Sequence, residues 1–243
     1  MVSISKRSTF QVGQELANEK TLTLSSTSNE GYLISLRPLV EPTESEKEFP
    51  FEWAFAGPPS SAKIEKKDEL TDAIDFEFEY DTNVQLNAEN THRGVIKTVW
   101  KKWVSGLVEE RGQVFPFGKD KEAVDFFELW QPLDATRSDF VMLDGNSENQ
   151  ETARSVVLSV DNAEFKGLVI TVGRWTQGIL FKKNEHTFNG LNILRALEQQ
   201  DGTWKTLLQY GPDFGNFPQT FAAPVASSVD GGALKWKVVE SNV

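Results

Sequence analysis

The stretch Ile74-Asp75-Phe76-Glu77-Phe78-Glu79-Tyr80-Asp81 decides the reading of the whole chain. Apolar and acidic residues alternate with a period of two, so on a strand four apolar groups share one face and four carboxylates the other. A strand with one dry and one wet face belongs to an antiparallel sheet or barrel. The carboxylates do not read as a cation site. Spread along a strand at ~6.5–7 Å intervals they converge on nothing, and a solvated face is the expectation.

Further strand patterns occur at residues 8–12, 21–25, 32–37, 51–55, 95–100 and 107–110, and again at 140–143, 155–160, 167–172, 179–182, 204–210 and 234–239. Asp201-Gly202 reads as a hairpin turn, because glycine accepts a positive φ there. Residues 191–199 read as a strand, although Leu191, Leu194, Ala196 and Leu197 would also fall near one side of a short helix. Residues 41–48, 58–72 and 144–152 are polar and read as surface loops, and residues 222–232 as a small-residue segment before the last strand. Many short strands and few helical patterns predict an all-β, mainly antiparallel protein.

Two sequence blocks echo each other. Phe49-Pro-Phe-Glu-Trp53 returns as Phe126-Phe-Glu-Leu-Trp130. The run from Arg93-Gly94 to Trp103 and Gly106 returns as the run from Lys166-Gly167 to Trp175 and Gly178. The echo predicts two related β domains, residues 1–120 and 121–243, with a boundary near Gly118–Glu122. A strand glycine lets an aromatic ring from a neighbouring strand lie on bare backbone, and a tryptophan brings a large apolar surface. The recurring tryptophans therefore read first as structural plugs. Trp103 and Trp175 are the candidates for a ligand-binding floor.

Composition excludes several classes of function. With 17 Phe and 7 Trp the chain has the apolar area for a core, so disorder is excluded. A net charge of −11 argues against nucleic acid and anionic lipid as main partners. The nearest basic cluster, Lys97 with Lys101 and Lys102 beside Trp100 and Trp103, reads as a strand edge or loop guarded by lysines. Cysteine is absent, which removes disulfides, thiolate zinc sites, iron–sulfur clusters and cysteine nucleophiles together. The start, MVSISKRSTF, lacks a secretory signal, and no window approaches the ~20 apolar residues of a membrane span. The expectation is a cytosolic protein, small enough to reach the nucleus.

Local chemistry is sparse. The two histidines, His92 and His186, sit in no metal-binding spacing. His92 would act as a general base if a carboxylate oriented it, but reads better as a group satisfying loop backbone. His186 reads as an exposed hairpin tip. The run Gly112-Gln-Val-Phe-Pro-Phe-Gly118-Lys119-Asp120 fails as a phosphate loop in spacing, in its Asp for Ser/Thr and in lacking a following helix. Serine-hydrolase and dinucleotide motifs are missing. Ser45 lies in an acidic setting that some kinases favour. No catalytic, cofactor-binding or metal-ligating residue is assigned, and no cofactor.

Phe10-Gln-Val-Gly13, Ile34-Ser-Leu-Arg-Pro38, Phe49-Pro-Phe-Glu-Trp-Ala-Phe-Ala-Gly57, Asn90-Thr-His-Arg-Gly94, Glu128-Leu-Trp-Gln-Pro132 and Gly173-Arg-Trp-Thr-Gln-Gly178 resemble the small fungal family named for interaction with a yeast casein kinase I, the Hri family. The similarity spans nearly the full chain. It implies two lipocalin-like (calycin-type) β-barrels in a protein associated with casein kinase I. Weaker implications are association with an accessory subunit of the endoplasmic-reticulum translocon, and a homodimer. It implies no enzymatic activity and no site residues. The leading expectation is a non-enzymatic protein-interaction module. A carrier of a small hydrophobic ligand comes second, and would need an apolar cavity of at least ~300 Å³. An enzyme built on His92 and a nearby acid comes third.

Overall fold

The computed structural model describes residues 2–88, 91–116, 121–143 and 153–243. The expected loop at 144–152 and the Gly118-Lys119-Asp120 end of the glycine run lie outside them, as does Asn90. The chain forms two curled antiparallel sheets, each a half-barrel, as the periodicity predicted.

The first sheet holds β1 (Ser3–Val12), β2 (Leu24–Thr27), β3 (Leu33–Pro38), β4 (Phe51–Gly57), β5 (Ala62–Lys66), β6 (Thr71–Phe76), β7 (Tyr80–Asp81), β8 (Ile96–Lys102), β9 (Val108–Val114) and β10 (Val124–Leu133). Their order is β5-β6-β8-β9-β10-β1-β2-β3-β4-β7, and one turn of helix, α1 (Thr82–Gln85), follows β7. The second sheet holds β11 (Ser155–Asp161), β12 (Phe165–Val172), β13 (Trp175–Lys182), β14 (Leu191–Glu198), β15 (Trp204–Tyr210), β16 (Ser228–Gly231) and β17 (Leu234–Ser241). Its order is β15-β14-β13-β12-β11-β17-β16. Since β10 pairs with both β1 and β9, the change of sheet falls between Leu133 and Ser155, downstream of the boundary expected near residue 120.

The sequence echo is not a structural duplication. Its first pair of blocks, ending in Trp53 and Trp130, lies in one sheet, on β4 and β10. Gly94 has a φ of +86° and nothing near it, whereas Gly167 is packed inside β12. Aromatic strands share composition because they share burial.

The stretch 74–81 is divided by the fold. Residues up to Phe76 belong to β6, near one end of the first sheet; Tyr80 and Asp81 form β7, at the other end. Residues 77–79 cross between the two ends, and the Glu77 N–H donates to the Ser61 carbonyl at 2.9 Å. The expected single apolar face is therefore not formed. Phe76 and Phe78 face the interior of the first curl, while Tyr80 is buried in the core between the sheets. Asp81 is not a solvated carboxylate either, since it caps α1 and accepts from Trp53 Nε1 at 3.0 Å. Two expected loops also carry structure. Residues 58–72 contain β5, and the small-residue segment contains β16. Residues 140–143 make only a bridge, Leu133 to Met142.

The two sheets pack through Ile4, Ile34 and Leu36 of the first and Val157, Ile170 and Ile179 of the second. The opposite face of the second sheet packs around Val156, Leu158, Leu194 and Trp236. A sheet buried on both faces has apolar residues at successive positions. That is why β14, with all but its last residue buried, also carries a helix-like pattern. Arg195 of β14 reaches into the first sheet and donates to the Leu22 and Leu36 carbonyls, each at 3.0 Å. From β17, buried Glu240 accepts the Asn29 N–H at 2.9 Å and the Glu30 N–H at 3.1 Å. A turn of one sheet is thereby tied to a strand of the other.

Candidate functional site

The two curls differ inside. The second is filled: Phe217 and Trp236 lie 5.9 Å apart and nearly parallel, and Phe221 is buried beside them. Glycines make room for these rings. A Cβ on Gly167 would stand 2.7 Å from Trp236, and one on Gly178 would stand 2.9 Å from Phe217. The reading of strand glycines as seats for aromatic rings holds here.

The first curl is hollow and encloses a cavity of about 320 Å³. Aromatic side chains build its walls. On β4 these are Trp53 and Phe55; Phe78 stacks on Phe55 with ring centroids 4.0 Å apart. On the far side Trp100 of β8 lies 6.1 Å from Trp130 of β10, with an angle of 19° between the rings. Period-two alternation delivers them, because Ile96, Thr98 and Trp100 point inward from β8 while Lys97, Val99 and Lys101 point out. The three lysines Lys97, Lys101 and Lys102 are exposed, but they do not guard an edge: β8 pairs on both sides, with β6 and β9.

Arg37, Glu52, Glu110 and Glu128 also line the cavity, and they belong to a buried charged cluster that includes Arg7. Arg7 is fully buried and donates to Glu128 at 2.7 Å, Glu19 at 2.7 Å and Glu52 at 2.9 Å. Arg37 donates to Glu128 at 2.8 Å and to Glu52 at 3.3 Å. Burial alone would raise the Glu128 carboxyl, but Arg37 and Arg7 outweigh it and hold the group below its usual range. Glu110, buried beside it, is pushed well above the usual range by burial and by the charge of Glu128. Both causes favour its protonated form, and it accepts from Trp130 Nε1 at 2.9 Å.

His92 stands at the rim. Its Nδ1 accepts the Phe115 N–H at 3.3 Å and its Nε2 faces the Val95 carbonyl at 3.1 Å, so both nitrogens serve backbone. Burial lowers its pKa. The expected loop-satisfying role is the one the contacts describe. His186 is exposed and does not line the cavity, with Nδ1 2.8 Å from the Gln85 carbonyl. Trp103 and Trp175 do not form one floor and neither faces this cavity, although Trp175 borders a second one, of about 280 Å³, with Leu24, Arg195 and Leu208. Trp103 is exposed on the β8–β9 turn, and Trp175 is buried in the intersheet core, donating to the Arg137 carbonyl at 2.8 Å. The tryptophans that face the cavity are Trp53, Trp100 and Trp130. The signal for them was Phe126-x-Glu128-x-Trp130: a carboxylate between two aromatics on one strand face needs a buried cation. Among the described residues no group of three or more His, Asp or Glu is placed to hold a metal.

An aromatic half-barrel with a cavity, backed by a filled one, defines a two-sheet, all-β protein. The chain belongs to the Protein HRI1 family, whose model matches residues 3–240. It is similar to Protein HRI1 of Lachancea thermotolerans, with 64% identity over 100% of this chain and 94% of that one. The Kluyveromyces lactis protein of the same name is 48% identical over 100% of both chains. The crystal structure of a Saccharomyces cerevisiae protein matches all of both chains with a TM-score of 0.95 at 46% identity.

Proposed function

We propose that the protein is a non-enzymatic binding protein whose first half-barrel holds a small, mainly apolar molecule. The observation that carries this reading is the aromatic cavity of about 320 Å³, which lies within the size range of ligand pockets. Small barrels commonly fill their interior with side chains, and the second curl does so; the first does not. A reading without catalysis is supported by His92, whose ring nitrogens are both engaged by backbone. Native mass spectrometry of the protein, purified gently from its fungal source, tests the reading. A small molecule retained at stoichiometric level is the expected result, and a protein that never carries one and binds no apolar probe would sink it.

A second reading, from the family resemblance, is association with casein kinase I. It is favoured by Leu70, Trp103 and Val104, exposed on adjoining turns where the Lys102 N–H donates to the Leu70 carbonyl at 2.8 Å. Absence of binding between the purified kinase and this protein at high micromolar concentration would remove it.

A further inference from the structure

The second cavity, of about 280 Å³, is a groove between the two sheets and shares no lining residue with the cavity of the first half-barrel. Leu22, Leu24 and Leu39 line it on one side, and Trp175, Leu207 and Leu208 on the other. Leu22 and Leu207 are exposed, so the groove reaches solvent through apolar side chains. Arg195 of β14 is the one charged side chain in the lining.

The buried guanidinium of Arg7 is answered by Glu19, Glu52 and Glu128. That of Arg195, only 3% exposed, is answered by no carboxylate among the described residues. Its acceptors are all neutral. Gln177 Oε1 takes the Nε–H at 3.2 Å and one Nη2–H at 3.0 Å, while the Leu36 and Leu22 carbonyls take Nη2 and Nη1, each at 3.0 Å. Burial alone brings its pKa down to about 9, so it is still a cation at neutral pH. A buried charge without a counter-ion is costly. A guanidinium also has five N–H groups, and these contacts use four. The second hydrogen of Nη1 has no acceptor among the described residues. Nη1 is the nitrogen on the groove side. Gln177 and Leu36, which hold Nε and Nη2, are fully buried and do not line the groove, whereas Leu22, which holds Nη1, does.

One unanswered positive charge calls for one negative charge, and apolar walls call for a hydrocarbon body. A dianionic phosphate would bring a charge that nothing here answers. A peptide would bring backbone N–H and C=O groups that this lining leaves unpaired. The volume, near the small end of ligand pockets, limits the length of the chain. We propose that the groove between the sheets binds a medium-chain alkyl carboxylate, whose head group accepts the remaining Nη1–H of Arg195 while its chain lies against Leu22, Trp175 and Leu207.

Three probes of one chain length test this on the full protein: decanoate, decanol and decylammonium, titrated by calorimetry near neutral pH and below micelle formation. Decanoate should bind about ten- to hundredfold more tightly than decanol, and decylammonium more weakly than either. Leu207→Glu places a negative charge at the exposed rim and should weaken decanoate about tenfold, with a smaller effect on decanol. Arg195→Met removes the buried charge and should erase the preference for decanoate. If that variant does not fold, Leu207→Glu and the comparison of probes on the unaltered protein still decide. Equal affinity for decanoate and decanol overturns the pairing with Arg195. Decanoate binding that is unchanged in Leu207→Glu overturns the location. Failure of decanoate to bind overturns the site altogether and leaves the reading of the first half-barrel untouched.

Discussion

Glu110→Gln and Glu128→Gln make similar chemical changes a few ångströms apart, and the structure predicts opposite consequences. Glu128 carries the charge that answers Arg7 at 2.7 Å and Arg37 at 2.8 Å, with all three side chains buried. Removing one partner of a buried ion pair costs about 3–5 kcal/mol. Here the low end applies, about 3 kcal/mol, because Arg7 keeps Glu19 and Glu52, and because Glu110 becomes free to ionise once its charged neighbour is gone. Glu110→Gln instead imitates the protonated acid, keeping an acceptor for Trp130 Nε1 and a donor toward Glu128. The folded-state pKa of Glu110 is raised, so its contribution is complete below the unfolded value of 4.5 and is lost as pH rises toward the folded value. The Gln variant does not titrate. It should match the parent near pH 4.5 and gain on it above, by about 1.4 kcal/mol per pH unit until the folded carboxyl ionises. Glu128 is the reverse case: its pKa is lowered, and its contribution stands above 4.5 and fades as pH falls through the folded value. The double variant removes the fallback of Glu110 and should cost more than the two single changes together. Urea unfolding of all four proteins from pH 4.5 to 8 measures these differences. An equal loss for both single variants, or a larger loss for Glu110→Gln, would refute the assignment of charge within the cluster.

Other perturbations follow from packing. Phe217→Ala should cost about 3–5 kcal/mol in denaturant unfolding, since the ring is only 2% exposed and fills the second curl; a loss under ~1 kcal/mol would mean that curl is not tightly filled. Gly167→Val should lower the melting temperature through a loss of about 1–3 kcal/mol, because even a Cβ would stand 2.7 Å from fully buried Trp236 and 2.9 Å from the Ile179 carbonyl. Glu240→Ala should cost about 3 kcal/mol, because it strands the Ser28 and Ser155 hydroxyls and the Glu30 N–H between the sheets and leaves the Asn29 N–H only the Ser155 hydroxyl. An unchanged unfolding midpoint for that variant would show that the tie between the sheets contributes nothing to stability.

Secondary structure was legible wherever one face of a strand meets water. Leu234, Trp236 and Val238 are buried, and the lysines between them are exposed, as their alternation predicted. Gly202 turns between β14 and β15 with a φ of +80°, as the Asp-Gly pair predicted. The pattern was weaker in β14, where both faces are dry, and misled in β5, where charged residues on an end strand read as a loop. The cavity and its charged cluster were the least legible feature, since Arg7, Arg37, Glu110 and Glu128 are spread over more than half the chain and look like surface charges until the sheet closes over them.

The sequence by itself determined the all-β class, the lack of cysteine chemistry and the family. These depend on local periodicity, composition and matching blocks, all of which survive without knowing what packs on what. Tertiary structure alone decided that Phe76 and Phe78 face a cavity while Tyr80, next in the alternation, joins the core between the sheets. It alone decided that one curl is hollow and the other filled. An alternating pattern specifies two faces of a strand. Only closure of the sheet, and the arrival of Phe217 in one curl with no counterpart in the other among the described residues, specifies what each face encloses.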